Sequence, residues 1–160
     1  MIEVMVTIVV VAFGLLGLAS LVLRGLQAGS TSQLRSIAVA QVYDMADRMR
    51  GNITAVGNND FIDVLPSGTA STCATMLSKI TDTSDTTFPL VAAGSSTPTC
   101  SGTGSARDIN CWQAANASLL PKGSGAICKD ALNKWYAVIV SWDEGKTGST
   151  NKSFWITFEP

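Results

Sequence analysis

The chain has 160 residues, 46% of them hydrophobic, with 11 basic against 12 acidic side chains and a formal net charge of −1. Charges of both signs are interspersed rather than gathered in blocks, which removes the electrostatic basis for nucleic-acid binding. Histidine is absent, so catalysis would have to proceed without the commonest general base and metal ligand.

The opening stretch, MIEVMVTIVVVAFGLLGLASLVLRG, carries no charge between Val4 and Leu23, and only Thr7 and Ser20 are polar there. At about 1.5 Å per helical residue this run matches the roughly 30 Å hydrocarbon core of a bilayer. A cleaved signal peptide, a single-pass anchor and a buried core helix are the three readings of such a run. The signal peptide fits worst, because no basic stretch precedes the run and Leu21-Val22-Leu23-Arg24 lacks a small-x-small cleavage pattern. Arg24 follows the run and would hold that end in the cytoplasm. The cysteines favour a disulfide-forming compartment instead, and a short basic leader upstream of Met1 is the expectation that reconciles the two.

Glu3 stands at the mouth of the run. The helix dipole favours a carboxylate there by less than about 1 kcal/mol. An unpaired carboxylate in an apolar medium costs much more, so Glu3 calls for a partner such as the positive amino terminus of another helix.

Past the polar stretch Gly29 to Ser32, residues Leu34, Ile37, Ala38, Val42, Met45 and Met49 recur at steps of three and four, one stripe of an amphipathic helix. Asp44 with Arg48 and Asp47 with Arg50 support it at i,i+4 and i,i+3, and Gly51-Asn52 supplies the stop. The spacing predicts one helix of about fifty residues: a hydrophobic part over 1–24 and an amphipathic part over 25–51, with a globular head over 52–160. Gly14, Gly17, Gly25 and Gly29 mark points of local flexibility or close packing within it.

Residues 66–110 are rich in Ser, Thr and Gly and read mostly as loop, with Met76 to Ile80 and Phe88 to Ala93 as brief ordered pieces. ARDINCWQAANASLLP reads as a short helix ended near Pro121. GAIC, KWYAVIVSW and KSFWITFE read as strands separated by turn-like KDALN and DEGKTGSTN. The middle strand is apolar on nearly both faces, one of which is expected to cover the long helix.

The four cysteines, Cys73, Cys100, Cys111 and Cys128, all follow the apolar run, and the absence of Cys-x-x-Cys speaks against zinc or thioredoxin-like chemistry. Three connectivities are open. Cys73 with Cys100 and Cys111 with Cys128 is the expected pairing, since it closes the weak loop and ties the short helix to the first strand; four buried free thiols are the alternative.

Other motifs carry no chemistry. Lys146-Thr147-Gly148 and Ser149-x-x-Lys152 match fragments of the serine β-lactamase signature but abut in one turn, whereas that chemistry needs them on separate elements. Gly102-x-Gly104 lacks the third glycine and the preceding strand of a phosphate loop. Sequons at Asn52, Asn116 and Asn151 are near chance. No catalytic, cofactor-binding or metal residue is assigned.

Met1-Ile2-Glu3-Val4 and the run that follows resemble the end of the class III signal of type IV prepilins, with Met1 where leucine is usual. GLLGLA, LRGLQ and YDMADRMRGN are similar to the PilV-type minor pilins, as are Asp108 to Trp112, LLPKGSGAIC and VIVSWDE. This resemblance implies an α+β type IV pilin fold, a long N-terminal helix packed against a small antiparallel sheet. It implies a single-pass precursor in the bacterial inner membrane with a periplasmic head, later part of an extracellular pilus. Prepilin peptidase would cut the leader and the new amino terminus would be methylated, although neither event falls on a residue of this sequence. Glu3 matches the glutamate that pairs with a neighbour's amino terminus. Implied partners are other major and minor pilins, the inner-membrane assembly platform and the bilayer, in the service of twitching motility and adhesion. A minor pseudopilin of type II secretion and a membrane-anchored periplasmic enzyme are the alternatives.

Overall fold

The computed structural model describes residues 2–65, 72–81, 98–130, 134–145 and 151–160. Helix α1 (Ile2–Gly51) runs without a break, as the periodicity predicts; no proline interrupts it. Asn52 then turns the chain, its side-chain oxygen accepting a hydrogen bond from the Ala55 N–H at 3.2 Å as the cap of α2 (Ile53–Gly57). The chain forms two compact units, Met1–Leu34 and Arg35–Pro160.

The second unit is built on a three-stranded antiparallel sheet in the order β1 (Ser124–Lys129), β2 (Tyr136–Asp143), β3 (Asn151–Phe158). Every residue of β2 is buried, which is why its sequence is apolar on both faces: a central strand covered on both sides cannot alternate. The register sets Ala126 beside Ile139 and Cys128 beside Ala137. These four form one face, packed with Met76, Leu77 and Ile80 of α3 (Cys73–Thr81).

The opposite face receives α4 (Gly104–Leu119), as expected from ARDINCWQAANASLLP. Gly125 lies under the Trp112 ring, and a Cβ at Gly125 would stand 2.7 Å from the Asn116 amide nitrogen. The Gln113 side-chain oxygen accepts from the Gly125 N–H at 3.1 Å while its amide donates to the Gly125 carbonyl. Gln113 thus satisfies both backbone polar groups of that residue.

The second half of α1 completes this unit. Of the stripe read from the sequence, Ala38, Val42, Met45 and Met49 are buried, with Ala46 beside them, whereas Leu34 and Ile37 are half-buried. The fully buried Trp112 donates its indole N–H to the Gln41 carbonyl at 2.9 Å. Arg48 bridges Asp44 at 2.9 Å and Asp108 at 3.4 Å. The Arg50 guanidinium lies 4.9 Å from the centre of the Phe158 ring, and Phe158 pairs with Tyr136, on the Val138 and Val140 side of the sheet. The expected meeting of this sheet face with α1 is therefore present.

The disulfide pairing differs from the expected one: Cys73 bonds Cys128 and Cys100 bonds Cys111. Strand alternation explains it. Cys128 points to the α3 face of the sheet while Cys111 rides on α4, which packs on the other, so the sheet itself separates them. Cys73 opens α3 and meets Cys128 directly. Cys100 folds back onto α4, where the Asn110 amide also donates to the Ser101 carbonyl at 2.9 Å. Helix α3 is longer than the Met76 to Ile80 piece expected. Gly102-x-Gly104 leads straight into α4, with no strand just before it among the described residues. The segments Phe88 to Ala93, Lys146 to Gly148 and Ser149 lie outside the described residues.

Non-reducing tryptic mapping checks the pairing directly, because cleavage after Lys79, Arg107 and Lys122 leaves each cysteine on its own peptide. Linked peptides Cys73–Cys128 and Cys100–Cys111 are expected; a Cys111–Cys128 link would contradict the fold. The first bond spans a separation of 55 residues and the second 11. Loop entropy alone then predicts that removing them costs about 4 and about 3 kcal/mol respectively, measured by urea unfolding of Cys→Ala pairs. Gly125→Ala is expected to cost about 1 to 3 kcal/mol in the same measurement, because the new methyl meets the buried Trp112 and Asn116.

Candidate functional site

Within Met1–Leu34 the helix presents an apolar surface on every side from Val4 to Leu23. Phe13 is 71% exposed and Leu16 67%, and Val4, Met5, Ile8, Val10, Leu15 and Leu21 are exposed with them. Contiguous apolar surface on this scale does not stand in water; it calls for lipid or for other apolar helices. By length and composition α1 can cross a membrane.

The few polar groups on this stretch are satisfied locally. The Thr7 hydroxyl donates to the Val4 carbonyl at 2.8 Å and the Ser20 hydroxyl to the Gly17 carbonyl at 2.9 Å. Such back-bonding lets a hydroxyl sit in hydrocarbon without an orphaned donor. Glu3 is different. It occupies the first turn of α1, exposed, with no partner for its carboxylate among the described residues. The dipole of the helix favours a negative charge there but supplies no counter-ion. Of the polar groups in the run, Glu3 alone has its demand unmet.

The four cysteines, by contrast, all lie in the Arg35–Pro160 unit and are fully paired. They hold the head and do no chemistry that this geometry exposes. Asn116, read as a chance sequon, is fully buried on α4 with neither amide atom partnered among the described residues, and Asn52 is engaged as a cap. Among the described residues, no cluster of histidine, cysteine, aspartate or glutamate is placed to hold a metal ion.

The chain matches no known family model, no characterised protein and no solved structure.

One feature of the head has no signal in the sequence: a groove of about 520 Å³ between α1 and β3, lined by Arg35, Val39, Trp142, Phe154 and neighbouring residues of β3. Arg35 reaches across the fold to Glu144 at 3.1 Å. Its residues come from segments more than a hundred positions apart, so no local pattern could announce it.

If α1 inserts, the chain expressed in cells should remain in the membrane pellet after alkaline carbonate extraction. Val10→Arg together with Leu16→Arg should shift it to the soluble fraction. Each arginine at the centre of a spanning helix costs about 2.5 to 3.5 kcal/mol of insertion free energy.

Proposed function

We propose that this chain is a structural subunit of a type IV pilus, a minor pilin of the PilV type that supports initiation of pilus assembly and through it twitching motility and adhesion. One observation carries the reading: a single unbroken helix, Ile2–Gly51, is fully apolar at its start with a carboxylate in its first turn, and buries a stripe in a disulfide-bonded α+β unit at its end. A plain anchor has no use for Glu3 and no need to continue as the core helix of its own domain. A subunit that leaves the bilayer to pack among similar helices has use for both, because Glu3 can pair with a neighbour's amino terminus and set the axial register of the bundle.

On this reading the head folds in the periplasm, where its disulfides form, while the apolar run rests in the inner membrane. Prepilin peptidase acts on a precursor, the new amino terminus is methylated, and the assembly platform passes the subunit into the filament. The resemblance of the opening residues and of YDMADRMRGN to PilV-type minor pilins supports this assignment, and the chemistry proposed is association rather than catalysis.

The test is Glu3→Lys against Glu3→Gln in cells deleted for the native copy. Both variants should retain a folded head, seen as unchanged non-reducing mobility and protease resistance. Incorporation into sheared filaments, and twitching, should fall at least tenfold for the lysine variant and less for the glutamine. Normal piliation in the lysine variant would sink the assignment. Intact pili with lost enzyme secretion would move the subunit to a type II secretion system.

A further inference from the structure

We infer that the groove between α1 and β3 is a peptide-binding site, in which an extended segment carrying an acidic residue adds a strand to the edge of β3. The inference is separate from the pilin reading, since the groove lies wholly within the Arg35–Pro160 unit.

Three observations point to an extended peptide. The sheet order leaves β3 with a neighbour on one side only among the described residues, so its stretch from Lys152 to Phe154 offers backbone donors and acceptors along the other edge. β1 does not: Val64 pairs with Ile127 across its outer side at 3.0 and 2.9 Å. Next, four consecutive residues of β3, Lys152 to Trp155, line the groove, and α1 forms the opposite wall through Arg35 and Val39. A trough between a strand edge and a helix is the geometry in which a peptide gains affinity from main-chain hydrogen bonds and specificity from alternate side chains. Finally, β3 carries none of the proline that usually blunts such an edge, and only Lys152 stands guard on it.

The chemistry of the lining selects the occupant. The register places Trp142 across from Lys152 and Val140 across from Phe154, so Trp142, Phe154 and Lys152 share one face. Trp142 and Phe154 give an apolar floor with Val39. Trp142 is 2% exposed and its indole N–H has no acceptor among the described residues. Lys152 is exposed, and Arg35 is held by Glu144, itself largely covered. Charged and polar side chains here are mostly donors, so the entering segment must bring acceptors: a carboxylate toward Lys152, apolar side chains toward Trp142 and Phe154.

The probe is a set of blocked hexapeptide mixtures, randomised over Val, Leu, Thr and Ser, with one glutamate walked through the six positions. Binding to the full chain in lipid nanodiscs is followed by tryptophan fluorescence, with empty nanodiscs subtracted. At least one glutamate position should bind at a single site and exceed its glutamine counterpart about threefold, the scale of an exposed ion pair. Lys152→Gln should abolish that preference while leaving the glutamine peptide's affinity within twofold. The decisive arm alters only the peptide: N-methylation walked along the best binder should weaken it at least tenfold at every second residue and little in between, as strand addition requires. Failure of all mixtures, or methylation effects without period two, would overturn the inference. So would concentration-dependent self-association of the chain that no peptide displaces, which would assign the groove to a second copy.

Discussion

The head depends on the burial of one helical stripe. Ala38, Val42, Met45, Ala46 and Met49 are each completely covered, and they lie on α1 at positions that share a face. Without them the sheet's α4 side would be open, and Trp112 would lose the backbone acceptor that Gln41 provides. The dependence also runs the other way. An isolated helical segment has modest stability in water, so the second half of α1 is held chiefly by tertiary burial. The first half finds no such cover within its own unit, and hydrocarbon or like helices must supply it. One continuous element therefore answers to two solvents, and the change in its sequence from all-round apolar to striped marks where one gives way to the other.

A domain of this size buries a limited core, and much of the head sequence is Ser, Thr and Gly that contributes little to it. The fold concentrates its apolar content in β2, buried at all positions, and uses both faces of the sheet. Helix α3 is short and joined to the rest through polar sequence, so its hold on the sheet is strengthened covalently by Cys73 to Cys128. The Cys100 to Cys111 bond works locally, keeping the approach to α4 against the helix it leads into. The two bonds thus act at different ranges, one on the assembly of the layers and one on the geometry of a single turn.

What was legible in the sequence follows from what is local. The helix over Ile2–Gly51, its stripe, the ion pairs of Arg48 and Arg50, helix α4 and the three strands all rest on periodicity or near-neighbour spacing, which a sequence displays directly. Disulfide pairing was misread because it depends on which face of the sheet each cysteine occupies. That requires knowing that α3 covers one face and α4 the other, and no spacing encodes it. The odd separation of Gly125 and Cys128 along β1 decides the matter, since it turns Gly125 toward Trp112 and Cys128 toward Met76. The groove was invisible for the same reason: Arg35 and Lys152 become neighbours only once α1 and β3 are packed. Glu3 was legible as an anomaly because its meaning lies in a local contradiction, a charge where the surrounding residues demand none.

Unmet polar demand links Glu3 and the groove, though the physics differs. The hydroxyls of Thr7 and Ser20 bond back to their own helix, so within the apolar run only the carboxylate must look outward. It looks toward a positive group, and a helix-rich environment offers one at each amino terminus. In the head the backbone groups of β1 and β2 are occupied by the ladder, Gln113 and Val64, while at the groove the outer edge of β3 and the indole N–H of Trp142 have no partner among the described residues. A burial cost of this kind persists when the compensating partner arrives intermittently. On the proposed pilin reading the carboxylate meets a charge at a fixed axial offset, as a repeating assembly of similar helices would supply. The strand edge needs main-chain hydrogen bonds in register, which rewards any extended segment of suitable chemistry. The two proposed demands call for different kinds of contact and lie in different units of the chain, so a change at Glu3 and a change at Lys152 act separately.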